Sequence, residues 1–399
     1  MLRGVALEGG GAKGAYHIGV MKALYEEGYA FDGFVGTSIG AINSAILAGG
    51  DFEKALEVWA QITMEQIFDE DEHPLLELAD RKVLKADFKF LSEARRKAIA
   101  KIIENRGINT EKMKIFLGQY VDEEKIRASG KDFGLVTISL SERKPKELMM
   151  EDIPNGQLFN YLMASAALPV FRPESIDDKV YLDGAFYNNC PYHLLLDKGY
   201  DEVIVIRTNS AGIFRKVDDS RVKCVIPSDH VGSSLLFSPE SSSSLIQMGY
   251  YDGLRFARSL LGKTYYINPD GLVDFGAKLM ALDDNIIHKI GNILNMPKMP
   301  TKRMLFEKII PKLSIYLKLG KDFDYKDFNI ALLEYAAKEK GIERFCLYNF
   351  DDLCVLVNDA SKVKEVQKLP SKLSSYSLAA GKKMSVKLLS KHLLSMHSN

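Results

Sequence analysis

Gly9-Gly10-Gly11-Ala12-Lys13-Gly14 follows an apolar run at residues 2–7, and Gly36-Thr37-Ser38-Ile39-Gly40 follows a second run at Phe31-Asp32-Gly33-Phe34-Val35. Both runs have strand character. Both turns lead into stretches with helical patterning, one over 12–27 ending at Gly28, the other over 39–48 closed by Gly49-Gly50. A strand–loop–helix unit repeated twice predicts an α/β fold built on a parallel sheet. The turns also carry chemistry. The first can present backbone N–H groups to a developing oxyanion, and the second can hold Ser38 at the tip of a sharp strand-to-helix elbow. Small neighbours such as Gly36 and Gly40 suit that elbow, and the helix N-terminus adds partial positive charge that favours an alkoxide. The plainer alternative is a glycine-rich turn with Ser38 as a helix N-cap.

A second reading of the first turn must be weighed. Gly9, Gly11 and Gly14 satisfy the spacing G-x-G-x-x-G, and Asp32 lies about 20 residues on, where a dinucleotide fold places its ribose-binding acid. Yet Asp32 falls near the beginning of its strand rather than at the end. Gly36-Thr37-Ser38 takes that end instead, so a dinucleotide-binding oxidoreductase is the weaker alternative.

Composition sets the frame. The chain has 399 residues, 46% hydrophobic and 27% charged, with a formal net charge of zero, so nothing global argues for nucleic acid. No apolar run approaches the roughly 18 residues that span a bilayer, and the N-terminus enters directly into a core strand without a secretion signal. The expectation is a cytoplasmic protein with reduced thiols at Cys190, Cys224, Cys346 and Cys354, which show no metal-binding spacing. No metal or cofactor is expected.

Along the chain, residues 51–130 read as a charged helical insertion. Strand signals return at 133–140, 203–206 and 222–226, and Ser241 to Ser244 read as a polar loop after Pro239. Beyond 270 the character turns helical, with Met296-Pro297-Lys298-Met299-Pro300 as a connector. The expected organisation is a first domain over 1–270, carrying the insertion, and a mainly helical region over 271–399. From Ser361 onward there are eight lysines against one acid, Glu365. Within this basic tail, Val386, Leu389, Leu393 and Met396 share one helical face. That face suits docking on its own domain, or an anionic membrane surface as the alternative.

A third motif is Tyr181-Leu182-Asp183-Gly184-Ala185, preceded by Ala164-Ser165-Ala166-Ala167-Leu168-Pro169. A turn here can present the Asp183 carboxylate, and a carboxylate within reach of Ser38 can act as general base without a histidine. A hairpin Asp-Gly turn is the structural alternative. The order and text of these four motifs resemble patatin-like phospholipases, as do Gly14-Ala15-Tyr16-His17-Ile18-Gly19-Val20 and Asn188-Asn189-Cys190-Pro191. The likeness covers about residues 3–210 and continues weakly to about 265.

The resemblance implies a three-layer α/β patatin-like fold and hydrolysis of acyl esters, with phospholipids or lysophospholipids as the leading substrates. Acylglycerols or simple carboxylic esters are the alternative, and a silent lipid-binding module is a further one. It implies Ser38 as nucleophile, Asp183 as its base and Gly9, Gly10 and Gly11 as oxyanion donors. Lys13, Gly14, Gly36, Gly40 and Gly184 support the turns. Ala185 stands where that family more often has glycine, which leaves the carboxylate untouched. His193 and His230 follow Asp183 in the order of a Ser–Asp–His triad, but each is expected to be structural, as is His17. Phe88, Phe90, Leu91, Phe116, Leu117 and Tyr120 are candidates for an acyl-chain groove. The implied partner is a lipid substrate, with peripheral membrane contact through the basic tail and no nucleic acid.

Overall fold

A computed structural model describes residues 1–74, 76, 107–270, 274–359 and 378–396. The chain divides into two units, Met1–Ala257 and Arg258–Asn399. The division falls ahead of the expected position at 270 because Tyr265 and Ile267 are buried in the core of the second unit, with Phe275, Leu333 and Leu353.

The first unit is built on an eight-stranded sheet. Its strands are β1 (Arg3–Leu7), β2 (Gly33–Thr37), β3 (Asp132–Ser139), β4 (Lys144–Met149), β5 (Glu174–Ile176), β6 (Lys179–Asp183), β7 (Glu202–Ile206) and β8 (Val222–Val225). They lie in the order β5-β6-β3-β2-β1-β7-β8, with β4 added to β3. The pairs β1–β2, β1–β7, β2–β3 and β7–β8 are parallel, while β4 and β6 run antiparallel to β3. β2 and β7 are buried along their whole length, which is why parallel strands of this kind read as continuous apolar runs rather than alternating ones.

Helices cover both faces of the sheet. Helix α1 (Gly14–Glu26) follows the first glycine turn and α2 (Ile39–Ala48) the second. Successive strand residues point to opposite faces. Gly36 of β2 lies against Gly40 of α2, whereas Gly33 lies against Leu195 and Tyr200 on the other side. Around that second contact, Ala6, Val35, Val203 and Val205 pack with Leu195 of the short helix His193–Asp197. This is the three-layer α/β arrangement expected.

The 51–130 region is helical where it is described, with segments at Phe52–Gln61, Met64–Ile67, Glu111–Gly118 and Glu123–Ala128. Phe88, Phe90 and Leu91 lie outside the described residues. The serine tract at 241–244 is not the expected loop. It falls within the 20-residue helix Pro239–Arg258. Ser238 caps that helix, accepting the Ser241 N–H on its hydroxyl at 3.2 Å and the Ser242 N–H on its carbonyl at 2.9 Å. The Ser244 hydroxyl bonds back to Glu240 O at 2.9 Å, a local bond that lets serine sit inside a helix.

Among its described residues, the second unit is helical apart from one two-stranded parallel pair, Tyr266–Ile267 with Leu347–Tyr348. Its main core joins Ile287, Ile290, Leu305, Leu313, Phe328 and Leu332 to Val386, Leu389 and Leu393 of the helix Leu378–Ser395. The apolar face of the basic tail is therefore spent on its own unit. Val386, Leu389 and Leu393 of that face are fully buried and Met396 is partly buried, which agrees with docking on its own unit. No described helix is long and apolar enough to cross a membrane.

Candidate active site

Strand register brings the two motif residues together. Thr37, the last residue of β2, pairs with Val136 of β3, and Asp183, the last residue of β6, pairs with the next residue, Thr137. β4 pairs with β3 across the same stretch, so it occupies the opposite edge. β2 and β6 therefore run end to end along one edge of β3. Ser38, directly after β2, meets Asp183 at that junction.

Ser38 occupies a left-handed backbone conformation, φ 56° and ψ −128°, at the N-terminus of α2. Such a conformation costs a non-glycine residue about 1–3 kcal/mol and persists only when its surroundings impose it. The surroundings are specific here. A methyl group on Gly36 would overlap the Gly40 backbone, and one on Gly40 would overlap the Leu7 carbonyl. Both glycines are thus required for the elbow to close. The Ser38 N–H donates to Ser165 Oγ at 2.9 Å, and Ser165 passes its own proton to Val136 O at 2.6 Å.

Asp183 is fully buried. Its amide donates to Ala167 O at 2.8 Å, and its Oδ1 accepts the Ala185 N–H at 2.8 Å. Oδ2 has no well-formed hydrogen bond among the described residues. Burial pushes the Asp183 pKa up to about 6, against the Ala185 N–H and the Ser38 hydroxyl, which pull it down. The Ser38 hydroxyl therefore faces this carboxyl closely enough to influence its charge, without the alignment of a full hydrogen bond. Gly184 must be glycine because a methyl there would overlap the Val136 carbonyl.

The glycine turn sits beside the elbow. A Cβ on Gly9 would lie 3.3 Å from Ser38 Cβ. Of the three expected oxyanion donors, Gly9 is corrected by the structure: its N–H is already given to Asn189 O at 3.0 Å. The Gly10 and Gly11 N–H groups have no partner among the described residues. Gly11 has φ 56° and abuts the Ser234 carbonyl, which also receives the Ala12 N–H at 2.9 Å. Lys13 is buried in the short turn Gly11–Lys13. Gly14 gives its carbonyl to the Asn43 side-chain amide at 3.0 Å, and Asn43 in turn accepts the Trp59 indole N–H at 3.0 Å.

The histidines stand apart from this chemistry. His193 lies 3.1 Å from Glu147 and pairs with Asn188, while His230 accepts the Gly232 N–H on the surface. His17 is fully buried against Asn43, and burial holds its pKa down to about 3, so it is a neutral packing residue. The dinucleotide reading also lacks geometry. Asp32 accepts the Arg3 N–H at 2.8 Å at the start of β1, the end remote from the glycine turn.

Ser38 and Gly11 open onto an apolar cleft of about 660 Å³, mouth included. Its walls include Ile42, Trp59, Phe68, Leu117, Phe171 and Phe237. Of the groove candidates, Leu117 is a wall residue, whereas Phe116 and Tyr120 pair with each other at 5.3 Å between ring centres. Sequence reasoning gave no role to Ser165, Asn189 or Thr208. Ser165 lies within a motif already singled out, but nothing in its spacing marks which backbone group it holds.

The family model for patatin-like phospholipases matches residues 5–196. Over 213 residues the chain is 27% identical to "Patatin-like phospholipase domain-containing protein 6" of Mus musculus and of Homo sapiens, covering 52% of this chain. The matched stretch spans only 13% of the length of those relatives. Among solved structures, VipD from Legionella pneumophila aligns with a TM-score of 0.41 at 13% identity, covering 98% of this chain and 91% of that one. ExoU, in its complex with SpcU from Pseudomonas aeruginosa, gives 0.32 at 16% identity, covering 86% and 69%. The elbow serine, the glycine turn and the Asp-Gly turn all fall within the matched segment, so residues 5–196 of this chain match the patatin-like phospholipase family model over the stretch that carries the site.

Proposed function

We propose that this protein hydrolyses carboxylic ester bonds of phospholipids or lysophospholipids through a Ser38–Asp183 dyad. The observation that carries the reading is a strained, buried serine facing a buried carboxyl with one free oxygen, at the mouth of an apolar cleft. In this scheme Ser38 Oγ attacks the ester carbonyl as Asp183 Oδ2 takes its proton. The oxyanion is held by the Gly10 and Gly11 N–H groups. Collapse breaks the bond to the alcohol, which leaves with the proton from Asp183. Water then attacks the acyl-serine as Asp183 again accepts a proton, and collapse breaks the acyl–Oγ bond, returning that proton to Ser38 Oγ as the fatty acid departs.

A carboxylate of ordinary pKa is a weak base for a serine hydroxyl. Raising it to about 6 strengthens the base while leaving it mostly ionised at neutral pH. The apolar walls of the cleft suit an acyl chain. Fatty-acid release from phosphatidylcholine and lysophosphatidylcholine is the test, with Ser38→Ala and Asp183→Asn as controls. The account expects release by the parent alone. A folded Ser38→Ala protein that still releases fatty acid would refute it, and a parent inactive on every acyl ester would favour a lipid-binding module.

A further inference from the structure

A threonine outside the motifs grips the peptide that carries the proposed oxyanion donor. Thr208 follows β7 by two residues and is fully buried. Its hydroxyl lies 2.7 Å from Gly9 O and 2.8 Å from Ser210 Oγ. Gly9 O and Glu8 Oε2, the latter 3.4 Å away, can both only accept, so the single Thr208 proton goes to the nearer Gly9 O and the Ser210 hydroxyl donates to Thr208. The Gly9 carbonyl and the Gly10 N–H belong to one planar trans peptide and point in opposite directions. Fixing Gly9 O therefore fixes the direction of the Gly10 N–H, which has no partner among the described residues.

Thr208 is itself held from behind. Glu8, fully buried, accepts the Thr208 N–H at 2.6 Å and the Asn209 N–H at 2.9 Å on one oxygen. Arg207 adds two bonds to the same carboxylate at 2.9 and 3.1 Å. Asn189 O meanwhile holds the Gly9 N–H. Gly9 is thus clamped on both of its peptide planes, and neither clamp touches the reacting atoms.

Resting on the dyad reading above, we infer that Thr208 is a positioning residue that aims the Gly10 N–H into the oxyanion hole, with Glu8 and Arg207 setting Thr208. Interactions of this kind act on the transition state more than on bound substrate. The test measures kcat and KM on a soluble p-nitrophenyl ester for the parent, Thr208→Val, Thr208→Ser and Ser210→Ala. Thr208→Val keeps the shape and removes the hydroxyl; its kcat should fall about 10- to 100-fold with KM unchanged, since small misplacements at a reacting centre have effects of that size. Thr208→Ser should restore kcat to within a few-fold of the parent. Ser210→Ala should lower kcat less than Thr208→Val, and it decides the matter if Thr208→Val does not fold. An active parent with Thr208→Val or Ser210→Ala at full kcat, or with Thr208→Ser as impaired as Thr208→Val, overturns the positioning role alone. A parent without ester turnover overturns the dyad reading and this inference together.

Discussion

The two units of the chain treat buried polarity in opposite ways. Among the described residues, every buried charged side chain lies in the first unit: Glu8, Lys13, Glu72, Asp183, Glu202 and Asp252. The buried polar residues of the second unit are Ser314, Asn329, Ser385 and Ser390, all neutral. The serines satisfy themselves locally, for example Ser385 to Gly381 O and Ser390 to Val386 O, both at 2.8 Å. Net charge divides as sharply. Residues 258–399 hold 23 Lys and Arg against 15 Asp and Glu, and residues 1–257 hold 30 against 38. A neutral total hides an acidic first unit and a basic second one. The first unit keeps strain and desolvated charge around Ser38, which a fold optimised only for stability would discard.

Replacing the charge at the site breaks this contrast most strongly. Asp183→Asn should lower ester turnover by roughly 10⁴-fold or more, as loss of a dyad base does. The same change should stabilise the fold at neutral pH. The Asp183 pKa is raised in the folded state, so its stability contribution is complete below about pH 4 and is lost as pH rises through about 6. The neutral side chain avoids that loss, on the order of 3 kcal/mol, and calorimetry at pH 7.5 should record a higher Tm for Asp183→Asn. A lower Tm would mean that the carboxylate is satisfied in ways this geometry does not contain.

In the second unit the sensitive positions are apolar. Leu389→Ala empties a fully buried site in the main core and should cost about 2–5 kcal/mol, read from denaturant unfolding. A cost under 1 kcal/mol would show that the helix Leu378–Ser395 is not docked by that face. A pH profile sharpens the account of the first unit: kcat/KM should fall about tenfold per pH unit below about 6, as Asp183 gains a proton. A midpoint near pH 4 would place the carboxyl in a solvated setting. The smallest effect belongs to the surface. Lys387 pairs with Glu339 at a half-exposed position, and Lys387→Ala should change stability by less than about 1 kcal/mol.

The sheet and its two turns were legible because apolar runs and glycine spacing are local signals. β1, α2 and the elbow lie within a residue or two of their expected bounds. Asp183 was legible through a short motif, but its meeting with Ser38 depends on β2 and β6 sharing one edge of β3, a long-range register that no local pattern encodes. The Gly9 correction has the same origin, since its amide is taken by Asn189, 180 residues away in the chain. The Ser241–Ser244 loop failed for a different reason: composition suggested a turn, but Ser238 capping and back-bonding serines sustain a helix there. Thr208 and Glu8 left no trace at all, because a residue that positions a backbone amide needs only one hydroxyl or carboxylate in the right place.

The central claim is that Ser38 is an activated nucleophile. Intact mass after exposure to a lipid-like fluorophosphonate tests it most directly, with Ser38→Ala as the control. The account predicts one covalent adduct on the parent, located at Ser38, and none on the folded mutant. A folded parent that stays unmodified, or an adduct that persists in Ser38→Ala, would contradict it.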